Sequence, residues 1–145
     1  MAVQRMEHVG VVVDDLPAAI EFFVELGLVL AGEMSLQDPT VDRIVGLEGV
    51  HTDVAFVNAP DGSGALELIR FRSPPHEGGD GHAPANAPGL RHLAFVVDDI
   101  DDVLARLRAR GAELVGELAQ YGSSYRLCYV RGPAGIIVEL GERIG

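Results

Sequence analysis

The 145-residue sequence has little cysteine, few basic residues and no long apolar run. Its single cysteine, Cys128, excludes an internal disulfide, and the surrounding run LCYV predicts a small buried residue rather than a nucleophile. No stretch reaches the length of a membrane span, and no apolar run of signal-peptide length opens the sequence. We therefore expect a cytoplasmic protein that has no membrane partner.

Basic residues are outnumbered two to one, with 11 Lys and Arg against 22 Asp and Glu and a formal net charge of -11. A surface of this sign repels nucleic-acid phosphates and anionic lipids, so neither is expected as a partner. The length and the 48% hydrophobic content suffice for one compact domain over residues 1–145 but not for two ordinary ones.

The sequence contains an internal repeat at an offset of 84 residues. EHVGVVVDDL (7–16) aligns with RHLAFVVDDI (91–100), and roughly a third of the aligned positions are identical as far as residue 33. Each copy begins with a strand-like run, and the Asp pair that ends this run is a good helix N-cap. Gly27 and Gly111 stand where each helix is expected to end.

Short strand candidates follow each helix, so each half is predicted to be a βαβββ module and the fold class to be α+β. We expect a first module over residues 1–72, a Pro- and Gly-rich linker over 73–89, and a second module over 90–145. The first module carries an insertion, residues 35–51, with a possible short helix from Val41 to Leu47.

Four polar residues recur at equivalent places in otherwise apolar strands. His8 and His92 lie near the start of the first strand of each half, and Glu67 and Glu139 lie in the last strand. A lone His or Glu in a strand has an ordinary explanation, as a hydrogen-bonded core residue or a residue of a wet face. Their joint repetition instead indicates two imidazoles and two carboxylates gathered around one divalent first-row metal ion.

These motifs, over essentially the whole chain, resemble the vicinal oxygen chelate superfamily, which includes glyoxalase I, methylmalonyl-CoA epimerase, extradiol dioxygenases and bleomycin-resistance proteins. The resemblance implies tandem βαβββ modules in a curved, mostly antiparallel eight-stranded cup, and a homodimer. It also implies metal ligation by His8, Glu67, His92 and Glu139, an order similar to bacterial-type glyoxalase I. The segment GLRHLAFVVDDIDDVLARLRARGAEL (89–114) is similar to the epimerases as well, although these commonly have Gln in place of Glu67.

The resemblance implies a divalent-metal-dependent lyase or isomerase of the glyoxalase I or epimerase type. Such an enzyme abstracts a proton next to the metal-bound carbonyl of a hemithioacetal or acyl thioester. Glu139 is the expected base and Glu67 the second catalytic carboxylate. The ion could be Ni, Co, Zn, Mn or Fe, and it could be held within one chain or across a dimer.

Two alternative functions stay open at this point. The first is an extradiol-type ring-cleaving dioxygenase, for which Tyr121 or Tyr125 could be recruited near the metal. The second is a resistance-type protein that binds a small molecule without turnover. In each case the expected partner is a small molecule.

Overall fold

The computed structural model describes residues 2–79 and 81–145, and the chain forms two compact units, Met1–Gly78 and Gly79–Gly145. Each unit contains strands, a helix after the first strand, and further strands, in the order predicted for a βαβββ module. The α+β class and the tandem arrangement of modules are confirmed. The residue bounds predicted for the linker stay a prediction.

The first unit is a four-stranded sheet with one long and one short helix. Its strand order is β1-β4-β3-β2, with β1 parallel to β4 and the other pairs antiparallel. Its elements are β1 (Val9–Val12), α1 (Leu16–Leu26), β2 (Val29–Leu36), α2 (Pro39–Val45), β3 (His51–Asn58) and β4 (Ala65–Ser73).

The second unit has a five-stranded sheet of the same plan, in the order β5-β9-β8-β6, with β7 also paired to β8. Again the first and last strands, β5 and β9, run parallel. Its elements are β5 (His92–Val97), α3 (Ile100–Ala109), β6 (Glu113–Leu114), β7 (Ala119–Tyr121), β8 (Tyr125–Arg131), a 3-10 turn (Pro133–Gly135) and β9 (Ile137–Arg143). The strand predicted after α3 is ELVGEL (113–118), of which β6 keeps only the first two residues, while β7 lies just beyond it. The described residues of the two units therefore hold nine strands instead of eight.

The two long helices begin where the sequence predicts, and α1 also ends as predicted, whereas the C-cap of α3 is Arg110, one residue before the predicted Gly111. The Asp15 side chain accepts a hydrogen bond from the Ala18 amide at 3.0 Å, and Asp99 accepts one from the Asp102 amide at 3.1 Å. Gly27, at φ 124°, ends α1 in a conformation that favours glycine. The helix of the insertion starts two residues earlier than predicted because Asp38, rather than a later residue, caps it.

Each long helix packs its apolar side on one face of its own sheet. In the first unit Phe23 of α1 is fully buried, as is Leu68 of β4, while in the second unit Leu107 of α3 and Leu140 of β9 are fully buried. Side chains alternate along a strand, so the opposite face of each sheet carries the residues between these core positions. That face is where the predicted histidines and glutamates lie. None of the described helices has the length and apolar character needed to cross a membrane.

The core of the first unit can be tested at Phe23. The Phe23→Ala variant removes a fully buried ring and leaves a cavity, so the free energy of unfolding should fall by about 3–5 kcal/mol. The control is Val24→Ala at the next position of α1, where the side chain is 46% exposed and the expected change is within about 0.5 kcal/mol. Urea unfolding measures both, and similar losses in the two variants would contradict this packing.

Cys128 is buried in β8 as the sequence predicts, and burial raises the pKa of its thiol. A higher pKa leaves less thiolate at a given pH, and the thiolate is the reactive form. We expect native protein at pH 8 to react with a chromogenic disulfide reagent at least about 100-fold more slowly than protein unfolded in urea. Equal rates in the two states would contradict the buried, inert assignment.

Candidate metal site

The first predicted pair, His8 and Glu67, is brought together by the parallel pairing of β1 with β4. In this register Gly10 lies opposite Glu67, and His8 immediately precedes β1. The Nε2 atom of His8 lies 3.9 Å from Oε1 of Glu67. The Glu67 side chain is 24% exposed, so the pair lies on a partly wet face and not in the core.

The second pair, His92 and Glu139, repeats this arrangement in the other unit. Ala94 of β5 lies opposite Glu139 of β9, as Gly10 lies opposite Glu67. Nε2 of His92 is 3.5 Å from Oε1 of Glu139, whose side chain is 25% exposed. Glycine or alanine opposite each glutamate leaves room for the imidazole beside it, as the sequence indicates.

Each cluster also contains an aromatic ring that was not predicted from the sequence. Phe56 of β3 lies opposite Glu67 and packs edge-on against His8, with ring centroids 5.8 Å apart. Tyr129 of β8 lies opposite Glu139 and packs against His92 at 5.0 Å. The signal was present in the sequence, since each aromatic stands ten or eleven residues before its glutamate, in the preceding strand.

The tyrosine beside the second pair is therefore Tyr129, and not Tyr121 or Tyr125. Tyr121 is 73% exposed on the short strand β7, where it is paired with Tyr125. Tyr125 begins β8, four residues before Tyr129. The recruitment of Tyr121 or Tyr125 to a metal centre, which the dioxygenase alternative invoked, stays a prediction.

The donor atoms of each pair suit a shared metal ion. Two ligands of one tetrahedral ion, each about 2.1 Å from it, lie about 3.4 Å apart. The separations of 3.5 and 3.9 Å are close to this value and too long for a strong hydrogen bond. Among residues 2–79 and 81–145 no group of three or more His, Cys, Asp or Glu side chains lies close enough to hold an ion. Each unit thus contributes two candidate ligands, and their joint ligation of one ion stays a prediction.

Comparison with known proteins places the chain in a family. Residues 5–140 match the model of the Glyoxalase/Bleomycin resistance protein/Dioxygenase superfamily. The chain belongs to this superfamily. The match covers both units, so the membership that the two His and Glu motifs suggested is confirmed.

Related proteins match along the full length of the chain. A glyoxalase family protein from Bacillus cereus has a TM-score of 0.96 and 43% identity, with 100% of this chain and 99% of that chain covered. The uncharacterized protein YwbC of Bacillus subtilis is 29% identical over 97% of this chain and 98% of its own length. A mutant of glyoxalase I from Zea mays, at 21% identity and a TM-score of 0.68, shares the fold; 97% of this chain and 45% of that one are covered.

The ring of Tyr129, rather than its hydroxyl, contributes to the stability of the second unit. Its hydroxyl makes no hydrogen bond within the described part of the chain. Tyr129→Phe should therefore change the free energy of unfolding by less than about 0.5 kcal/mol, whereas Tyr129→Ala should lower it by about 2 kcal/mol through lost packing. Chemical denaturation measures both. A large loss in Tyr129→Phe would show that the hydroxyl has a structural partner.

Proposed function

We propose that this protein is a divalent-metal-dependent lyase or isomerase that abstracts a proton next to a carbonyl group, on a hemithioacetal or acyl-thioester substrate. The observation that carries the proposal is the pair of equivalent clusters, each with a histidine nitrogen within 3.9 Å of a glutamate oxygen. Membership of a superfamily whose name includes glyoxalase is consistent with it.

The proposed ligands are His8, Glu67, His92 and Glu139. Two neutral nitrogens and two anionic oxygens balance the charge of a divalent ion such as Ni, Co, Zn, Mn or Fe. Each unit contributes one pair. The proposed set of four ligands therefore combines the His8 and Glu67 pair with the His92 and Glu139 pair, either from one chain or from two chains of a homodimer. A divalent ion bound there acts as a Lewis acid for the negative charge that develops on a carbonyl oxygen.

The side chains of this chain move the proton and position the substrate. The Glu139 carboxylate would take the proton from the carbon next to the carbonyl. Glu67, carrying a proton from solvent, would donate that proton to the neighbouring carbon or to the other face, and proton exchange with solvent would then reset both carboxyl groups. His8 and His92 are fixed by their packing against Phe56 and Tyr129, so they serve as ligands and not as acids or bases. The partial exposure of both glutamates leaves them accessible to a substrate.

Metal binding is the first test of this proposal. In calorimetric titration of metal-stripped protein with Ni²⁺ or Zn²⁺, we expect one ion to bind per protein chain. Substitution of any ligand, as in His8→Ala or Glu67→Ala, should weaken binding at least about 100-fold because a direct ligand is lost. Glu113→Gln is the matched control, since it removes one exposed negative charge from the second unit and no proposed ligand. Equal affinity in the ligand variants and the control would refute the site.

Proton transfer is the second measurement, with metal-loaded protein and a panel of hemithioacetals and acyl thioesters in heavy water. Deuterium should enter at the carbon next to the carbonyl. The Glu139→Gln variant retains an oxygen ligand but no base, so exchange should fall at least about 100-fold even when metal is bound. Exchange that survives in this variant rules out Glu139 as the base. Oxygen uptake with catechols, or full ligand affinity without metal and without turnover, would instead favour a dioxygenase or a binding protein.

A further inference from the structure

The first unit contains a cavity beside the His8 and Glu67 pair. Its volume is about 720 Å³, within the usual range for small-molecule sites. Phe56 forms part of its wall, and the same ring packs against His8. Asn58 and Ala65, which also line the cavity, face each other across β3 and β4 one pleat away from Phe56 and Glu67, on the same side of the sheet.

The cavity exists because small residues stand where the sheet could carry larger ones. Gly32 of β2 lies opposite Phe56, and a Cβ added at Gly32 would meet no atom within 4 Å. Gly64 and Ala65 line the adjoining turn and the start of β4. A larger side chain at Gly32 would therefore occupy the space without displacing the backbone, which makes this residue a direct probe of the cavity.

The lining combines apolar and polar side chains, with one uncommitted amide and no unpaired cation among its described residues. Met6, Met34 and Phe56 provide the apolar surface, and the Asn58 amide makes no side-chain hydrogen bond within the part of the chain described. The charged residues of the lining, Arg5 and Glu7, form an ion pair with each other. A ligand that carried carboxylates or phosphates would find no unneutralised positive charge here, on a chain with a net charge of -11.

We infer that this cavity binds the non-reacting part of the substrate, and that this part is uncharged, has both apolar and polar portions, and carries one amide or hydroxyl group for Asn58. The inference rests on the proposed function only in placing the reacting carbon at the neighbouring His8 and Glu67 pair. The substrate is then the carbonyl adduct or thioester of a small neutral thiol. Adducts of thiols that carry several carboxylates or phosphates are excluded.

Two unreactive thioethers test the inference on metal-free protein, so that binding is read without turnover. S-butyl-N-acetylcysteamine is uncharged and has one amide, whereas S-butylglutathione has two carboxylates. Titration followed by amide NMR should show shifts at Gly32, Ser63 and Gly64 with the neutral probe, and a dissociation constant at least tenfold lower than for S-butylglutathione. Tighter binding of S-butylglutathione, or shifts elsewhere in the chain, would overturn the assignment.

Variants separate the cavity from general effects on the fold. Gly32→Leu should weaken binding of the neutral probe at least tenfold because the leucine fills the cavity. Asn58→Leu should weaken it to a similar degree because the amide is lost. Ala18→Leu, which adds the same side chain at an exposed position of α1 in this unit, should leave the affinity within twofold. Thermal unfolding confirms that each variant is folded. Unchanged affinity in both Gly32→Leu and Asn58→Leu sinks the proposal.

A further variant tests Arg5 as a hidden anion site. If Arg5 left Glu7 to bind a carboxylate, Arg5→Ala would weaken binding of S-butylglutathione and not of the neutral probe, and this result would contradict the inference.

Failure of the cavity assignment is distinguishable from failure of the proposed function. If the neutral probe binds but the protein binds no metal, only the proposed function is contradicted. If metal-dependent exchange is observed but its KM for a neutral-thiol adduct is the same in Gly32→Leu as in the wild type, only the cavity assignment is contradicted.

Discussion

The parallel pairing of the first and last strands of each unit is the constraint on which the candidate site depends. It sets Gly10 opposite Glu67 and Ala94 opposite Glu139, and so brings each histidine to its glutamate. A slip of one residue would turn the glutamate toward the helix and an apolar side chain toward the histidine. Burial prevents this slip, because Leu66 and Leu68 flank Glu67 and pack on the helix side. Core packing therefore positions the polar pair on the opposite face.

Much of this arrangement could be predicted because the chain repeats itself. A histidine in one strand or a glutamate in another is weak evidence, but each appears twice at equivalent places. Capping of α1 and α3 by Asp residues depends on local hydrogen bonds, so it could be predicted from the sequence as well. Predictions of this kind succeeded where the physical cause lies within a few residues of the chain or is duplicated.

The features that were missed depend on contacts between strands. The offset between the copies is 84 residues at the histidines but 72 at the glutamates, because the insertion lies between them. Phe56 and Tyr129 become equivalent only when this change of offset is allowed for and the register of the last two strands is known. Similarly, the short strand β6 and the additional strand β7, in place of one predicted strand, reflect which residues find partners on β8. Pairing of this kind is a property of the folded sheet.

The two units have kept the same polar pair but differ around it. The first has an apolar Phe56 ring and a cavity beside its pair, whereas the second has the phenol of Tyr129, whose hydroxyl has no partner in the described residues. In the proposed reaction this asymmetry matters, because an acid and a base with identical surroundings could not divide the two proton transfers. Under this proposal, a tyrosine rather than a phenylalanine opposite the glutamate distinguishes Glu139 from Glu67, and the cavity in the first unit would give the substrate one preferred orientation. Duplication thus accounts for the two repeated pairs, and the differences around them would give the proposed chemistry its direction.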